Sequence, residues 1–165
     1  MANHPSLFLY NSNATVRSVD ELVSLDDSVT EIIIDNGVSD SNFTVLDLSR
    51  FTRLRTLEIG NHCMSYVTTV NITGLAELES VKIGINSFTK SKNGVLILPY
   101  ADRHFYLKNC PKLKSLKIDH FSFSDYTVIE IENVDALEEI EFGGFAFYYD
   151  SLELRSTLFF TVRNE

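Results

Sequence analysis

Apolar residues recur along the chain in a six-residue pattern, apolar-x-x-apolar-x-apolar, in which x is any residue. The pattern occurs five times, and its first positions are separated by 25, 24, 35 and 24 residues. Spacing this regular indicates an internal repeat with one supersecondary unit in each copy. The five copies are Val29/Ile32/Ile34, Leu54/Leu57/Ile59, Leu78/Val81/Ile83, Leu113/Leu116/Ile118 and Leu137/Ile140/Phe142.

Each copy is predicted to form two short strands. The last three positions of the pattern alternate apolar and polar, which is typical of a strand with one buried face. A second alternating pair follows, and in four copies an aromatic or methionine residue lies between the two. Parallel stacking of the copies, about 4.8 Å apart, would bury matching residues such as Leu57, Val81, Leu116 and Ile140 in one column. The second pairs are Leu46/Leu48, Val70/Ile72, Phe105/Leu107, Ile129/Ile131 and Leu152/Leu154, and the intervening residues are Met64, Phe88, Phe123 and Phe147.

The repeat predicts a mainly β fold, a solenoid of about five rungs over residues 26–156, with two short parallel strands per rung. Residues 1–25 are predicted to form an N-terminal cap. Within them Ser18 and Glu21 have the spacing of a capping box, which predicts a short capping helix at 18–25.

Two segments depart from the register. Residues 157–165 keep the alternation but lose the spacing, so they are predicted to form an edge strand or cap, and the alternative is a piece of a longer array. The longer third spacing places an insertion at 89–99, which contains Lys90, Lys92 and the apolar run 95–98. Insertions in repeat proteins map to loops. This one either folds back over the flank of the core or forms an exposed contact loop.

The repeat resembles leucine-rich repeats. The LxxLxI pattern, the second strand and the segment NCPKLKSLKI at 109–118 are most similar to the irregular repeats of large protist protein families, which are distantly BspA-like. The resemblance covers roughly residues 26–156 and implies a right-handed superhelix used as a protein-binding scaffold, with some relatives at cell surfaces. The long helix usual on the convex side has no support here, because a second strand takes its place.

Composition narrows the classes of partner and environment. The formal net charge is -9 and Lys/Arg residues form no cluster, which disfavours nucleic-acid binding and suits a basic partner. No apolar run is long enough to span a membrane, so membrane insertion is not expected. The first residues lack the basic and apolar regions of a secretory signal, which favours a cytoplasmic location over the cell surface but leaves the compartment open.

The sequence offers few groups for catalysis or cofactor binding. Cys110 shares a column with Phe51, Leu75 and Val134, so it is predicted to be a small buried apolar residue, and Cys63 stands next to His62 in a strand or turn. The four histidines are scattered, with no HxH, HExxH or CxxC spacing, and no glycine-rich phosphate loop occurs. We therefore predict no catalytic residues, no cofactor and no metal.

Charged residues predicted to point outward from the first strand of each copy form the candidate binding surface. Glu58 adjoins Lys82 and Lys117 adjoins Glu141 in the predicted stacking. These charges either form cross-strand pairs or serve as a mixed-charge recognition strip. The sequence predicts a non-enzymatic protein-binding scaffold with an unidentified protein partner; the alternative is a structural or adhesive segment of a longer cell-surface protein, able to form oligomers through its C-terminal edge. The candidate partner-binding residues are Glu58, Lys82, Lys117, Glu141, Lys90 and Lys92, with Tyr148 and Tyr149, of which at least one should face water.

Overall fold

Short strands follow one another along the chain and alternate between two parallel sheets. A computed structural model describes residues 12–90 and 102–148, together with the backbones of two further strands at 153–155 and 161–164. The seven-stranded sheet has the order β1-β2-β4-β6-β8-β10-β12, and the five-stranded sheet has the order β11-β9-β7-β5-β3. The strands are β1 Asn13–Val16, β2 Glu31–Ile34, β3 Val45–Asp47, β4 Thr56–Ile59, β5 Thr69–Thr73, β6 Ser80–Ile83, β7 His104–Lys108, β8 Ser115–Ile118, β9 Val128–Glu132, β10 Glu139–Phe142, β11 Glu153–Arg155 and β12 Thr161–Asn164.

The alternating pattern fixes the register of the seven-stranded sheet. Leu57, Val81, Leu116 and Ile140 are successive Cα partners in β4, β6, β8 and β10, and each is fully buried. A register shifted by one residue would turn this column toward water, so burial holds the strands in this alignment. The buried apolar residues of both sheets belong to one hydrophobic core.

The predicted leucine-rich-repeat-like, right-handed β solenoid is wrong. The described strands form two parallel sheets side by side and do not close into a solenoid or superhelix. Helix is almost absent, because the only helix of the described residues has five residues, Val19–Val23. The physical reason for the error is that period-two alternation specifies which side chains face the core but not how the sheets coil or close.

The helix, α1, begins where the capping sequence places it but is shorter than the predicted 18–25. Ser18 Oγ accepts a hydrogen bond from the Glu21 backbone N–H at 3.2 Å. In the usual capping box the glutamate side chain accepts from the N–H of the N-cap residue. Here Glu21 Oε2 accepts instead from the N–H of Arg17, one residue before the N-cap, at 2.7 Å. Residues 1–11 of the predicted cap and residues 91–99 of the insertion lie outside the described residues.

The turns after the seven-stranded sheet repeat an unusual backbone. In each of four turns two non-glycine residues, separated by one, have positive φ between 52° and 61°. Such residues are strained, and burial of the second side chain of each pair offsets part of the cost. The second of each pair points into the core, where Phe88 and Phe123 stack at 4.6 Å and Phe123 and Phe147 at 5.1 Å. The pairs are His62/Met64, Asn86/Phe88, Phe121/Phe123 and Phe145/Phe147.

A buried ion pair between Arg103 and Asp125 joins several turns next to this aromatic stack. The Arg103 guanidinium donates to Asp125 Oδ1 at 3.2 Å, to the Phe88 carbonyl at 3.1 Å and to the Ser65 carbonyl at 2.9 Å. Arg103 is 1% exposed and Asp125 is fully buried. Asp125 Oδ2 also accepts from the Lys90 backbone N–H at 3.1 Å. The pair thus connects turns that are up to 60 residues apart in sequence, since it reaches from Ser65 to Asp125.

Candidate binding groove

A groove crosses the carboxyl ends of the strands of the seven-stranded sheet. It consists of two adjoining cavities of about 440 Å³ and 240 Å³. Asn61, Lys82 and Gly84 line both cavities, so the two form one continuous depression. The groove begins at Asp35, after β2, and extends to Gly143, after β10.

Glycines and asparagine side chains shape the floor of the groove. Gly60 and Gly84 directly follow β4 and β6. Asn36 Oδ1 accepts from the Asn61 N–H at 2.7 Å, and Asn61 Oδ1 accepts from the Ile85 N–H at 2.8 Å. A Cβ added at Gly84 would lie 2.3 Å from Asn61 Oδ1, and one at Gly60 would lie 2.6 Å from Asn36 Oδ1. The glycines are therefore needed because the amide of the preceding repeat occupies the space above them.

The charged row lies beside this floor. Glu58, Lys82, Lys117 and Glu141 are successive partners across β4, β6, β8 and β10. Lys82 Nζ lies 3.1 Å from Glu58 Oε1, and Lys117 Nζ lies 3.1 Å from Glu141 and 3.3 Å from Glu139. Hydrogen bonds to Glu141 and Glu139 raise the pKa of Lys117 above its ordinary value. The predicted cross-strand pairing is confirmed. The register also places Lys82 next to Lys117, so that the order across the four strands is Glu58, Lys82, Lys117 and Glu141.

Asp119 directly follows β8, at the position that glycine occupies after β4, β6 and β10, and both Asp119 and its neighbour His120 line the larger cavity. Asp119 Oδ1 accepts from the His120 backbone N–H at 2.7 Å and lies 2.6 Å from His120 Nδ1. Burial acts to raise the pKa of Asp119, but the hydrogen bonds from His120 outweigh it, and the pKa is lowered. Asp119 therefore places a carboxylate in the groove at neutral pH.

Three aromatic side chains lie on the turns that follow β8 and β10, close in the chain to the groove residues His120 and Gly143. Phe121 and Phe145 stack with centroids 5.2 Å apart and planes 4° apart, and Tyr148 lies 5.5 Å from Phe145. Phe145 is 52% exposed and Tyr148 54%. Tyr148 thus faces water, as predicted for at least one of the two tyrosines, and Tyr149 lies outside the described residues. Phe121 and Phe145 were missed by sequence reasoning, although their shared offset from the strand ends was a signal.

The remaining candidates lie elsewhere. Lys90 lines a separate depression with His62 and Tyr66, and its Nζ lies 5.5 Å from the Tyr66 ring centroid. Lys92 lies outside the described residues. The structure therefore places four of the predicted binding residues, Glu58, Lys82, Lys117 and Glu141, on one surface and separates Lys90 from them.

The groove offers little for covalent catalysis. Within the part of the chain that the structure describes, neither serine, cysteine nor threonine lines either cavity, so the Asp119–His120 pair has no such nucleophile there. Cys63 is fully buried, its Sγ donates to the Asp35 carbonyl at 3.1 Å, and burial raises its pKa. Burial also raises the pKa of Cys110 to about 11. Residues 12–90 and 102–148 contain no group of three or more His, Cys, Asp or Glu side chains placed to hold a metal ion.

Comparisons with protein-family models, with characterised proteins and with solved structures found no significant match to this chain. The resemblance to leucine-rich repeats therefore rests on the sequence pattern alone, and it carries no further weight because the architecture it implies is wrong. Among the described residues, the five-residue α1 is far too short to cross a lipid bilayer.

Proposed function

We propose that this protein is a non-enzymatic binding module that holds a protein partner on the outward face of its seven-stranded sheet. The observation that carries the proposal is the groove itself. The charged row, including Lys82 and Lys117, lines it together with apolar side chains such as Ile85. Concave sites that combine apolar surface with a few fixed polar groups are the usual form of a recognition site.

The groups in the groove are preorganised for recognition. Lys117 is held between Glu139 and Glu141, and the Asn61 side chain is fixed by its hydrogen bond to Ile85. Side chains that are already ordered lose less conformational entropy when a partner binds. Order of this kind in Lys117 and Asn61 therefore favours formation of a complex.

A protein suits this surface better than a nucleic acid. Nucleic-acid binding depends on cations that are free to contact phosphates. Lys82 and Lys117 each lie within 3.3 Å of glutamate oxygens, and the whole chain carries a net charge of -9.

A charge-reversal experiment tests the proposal. The variant Lys117→Glu should reduce the recovery of a partner from the native source at least tenfold, measured by quantitative mass spectrometry of affinity-purified complexes. Lys112→Glu is the matched control, because Lys112 also forms an exposed ion pair, with Glu77 at 2.8 Å, but does not line the groove. Equal recovery of the partner with both variants would contradict partner binding on this face of the sheet.

A second candidate is a structural or adhesive segment that associates through its sheet ends. The observation that favours it is the position of β11 and β12, which are outermost in the two sheets and pair there with β9 and β10 alone among the described strands. Edge strands can add a further strand from another chain. Concentration-dependent association in multi-angle light scattering would support this candidate, and a constant monomer mass would contradict it.

A further inference from the structure

A separate cavity lies among the turns that lead from the seven-stranded sheet to the five-stranded sheet. Its volume is about 510 Å³, within the range of small-molecule sites, and it shares no described lining residue with the groove. None of the described residues that line it carries a carboxylate, whereas glutamates face both lysines of the groove. The lining residues are Gly37, Ser39, His62, Ser65, Tyr66 and Lys90.

The side chain of Ser65 has an unused hydrogen-bonding group in this cavity. Ser65 is only 8% exposed, yet its Oγ makes no hydrogen bond to another described residue. Its backbone is paired, since the N–H donates to Ser39 Oγ at 3.1 Å and the carbonyl accepts from the Arg103 guanidinium at 2.9 Å. Buried hydroxyls are usually paired, because an unpaired one loses its bonds to water without replacement. An unpaired hydroxyl that lines a cavity therefore indicates a partner from outside the chain.

Further hydrogen-bond donors line the same cavity. Ser39 Oγ accepts from the Ser65 N–H, so its own proton remains available to a ligand. The Tyr66 hydroxyl and the His62 imidazole make no hydrogen bond to another described residue. The ammonium of Lys90 lies 5.5 Å from the centroid of the Tyr66 ring. The cavity thus combines hydroxyl donors with a positive charge.

The buried ion pair of Arg103 and Asp125 holds two sides of this cavity in place. Arg103 donates to the Ser65 carbonyl, and Asp125 Oδ2 accepts from the Lys90 backbone N–H at 3.1 Å. The charge of Asp125 is compensated by Arg103 at 3.2 Å. Because Ser65 and Lys90 are anchored to the same buried pair, their backbones lose little conformational freedom when a ligand binds.

The chemistry of the lining residues selects the class of ligand. A phosphate monoester has three acceptor oxygens and a charge of about −2, so several hydroxyl donors and an ammonium suit it. A carboxylate has fewer oxygens and less charge to satisfy the same donors. A phosphate group by itself is much smaller than the cavity, which leaves room for the molecule that carries it.

We propose that this cavity binds a small phosphorylated molecule, whose phosphate oxygens contact the Lys90 ammonium and accept hydrogen bonds from the hydroxyls of Ser39 and Ser65. The site is separate from the groove, so it adds a ligand-binding function to the proposed one, and each can fail without the other.

Isothermal titration calorimetry with the full chain tests the inference. The probes are glucose 6-phosphate and adenosine monophosphate, and the comparison compounds are glucose, adenosine, inorganic phosphate and malonate. At least one probe should bind at least tenfold more tightly than its parent without phosphate and than inorganic phosphate. Failure of both probes to exceed these compounds would overturn the inference. Tighter binding of malonate would assign the cavity to carboxylates and would equally overturn it.

Two variants test whether the bound probe occupies this cavity. Lys90→Met removes the positive charge and Ser65→Ala removes the unpaired hydroxyl, and each should weaken binding of the better probe at least fivefold. Lys112→Met is the matched control, because it removes a positive charge that pairs with Glu77 and does not line the cavity. Circular dichroism establishes that each variant is folded. If the control weakens binding as much as Lys90→Met does, the effect is one of net charge and the inference is overturned.

Ser65→Ala has a second readout that separates ligand binding from a structural role. Because the hydroxyl has no partner among the described residues, its removal should leave the midpoint of urea unfolding unchanged or raise it. A lowered midpoint would show that the hydroxyl bonds within the protein, and this result would overturn the inference.

Discussion

The buried pair of Arg103 and Asp125 provides a quantitative test of the structure. We consider the substitution Arg103→Met, which keeps an unbranched apolar side chain of similar length but removes the guanidinium. The substitution leaves the carboxylate of Asp125 fully buried without the positive charge that faces it, and burial already raises the pKa of this carboxyl despite the nearby Arg103. The carbonyls of Phe88 and Ser65 lose their donor as well.

The expected cost follows from these contacts. Removing one partner of a buried ion pair costs about 3–5 kcal/mol, because the other charge is left uncompensated. The two carbonyls that lose a hydrogen bond are included in this range, at about 1 kcal/mol each. Arg103→Met should therefore lower the free energy of unfolding by about 4 kcal/mol, a large fraction of the total for a domain.

The double variant Arg103→Met/Asp125→Leu separates the ion pair from general packing. It removes both charges, so it should be destabilised much less than the sum of the two single variants, with a coupling of about 2 kcal/mol or more. Urea unfolding at low temperature, followed by far-ultraviolet circular dichroism, measures each free energy. Lys112→Met breaks an exposed pair instead and should leave the midpoint unchanged within error. Two results would contradict the buried ion pair. One is a loss of less than about 1 kcal/mol in the free energy of unfolding of Arg103→Met, and the other is a double variant whose loss equals the sum of the two single losses.

Three further predictions concern the groove floor and the thiols. Gly84→Ala should destabilise the protein measurably in urea unfolding, since its Cβ would lie 2.9 Å from the Gly60 carbonyl carbon as well as 2.3 Å from Asn61 Oδ1, and an unchanged midpoint would contradict this close approach. Neither Cys63 nor Cys110 should react with a thiol reagent in the native state, and both should react in urea, because both are fully buried; fast native labelling would show that one is accessible. The folded pKa of Cys110 is raised to about 11, so its contribution is present in full below the unfolded pKa and is lost as the pH rises toward 11. Wild type should therefore lose about 2–3 kcal/mol more than Cys110→Ala between pH 8 and 11, and equal losses would contradict the raised pKa.

Strand positions were readable from the sequence, because each strand carries its own two-residue alternation. Leu57, Val81, Leu116 and Ile140 could be aligned without a structure, since their burial is a property of periodicity and their offsets within the repeat are the same. The overall architecture could not be read in this way. Alternation carries no information on how two sheets lie against each other, and the family resemblance supplied a superhelix that the strands do not form.

The candidate site was predictable only in part. The Glu58–Lys82 pair followed from register, because residues opposite each other on neighbouring strands must lie close. The groove could not be predicted from the sequence, because it depends on the Asn61 side chain folding across Gly84. Neither residue type by itself predicts this contact. Glycine directly after a strand in three of five copies was the available signal. The burial of Arg103 was not predicted for a different reason. Arg103 lies shortly after the insertion 89–99, where the repeat pattern does not indicate which residues are buried.

Site-specific photocrosslinking in extracts of the native source would locate the functional surface. Because Cys63 and Cys110 are buried, a benzophenone maleimide should label only a cysteine introduced at the surface. Ile85→Cys places the label in the groove, and Val45→Cys, which also replaces an exposed apolar residue, places it at the edge of the five-stranded sheet. We expect one partner, identified by mass spectrometry, to be crosslinked from position 85 and not from position 45. Crosslinking of that partner from position 45 alone, or equally from both positions, would contradict a binding site in the groove.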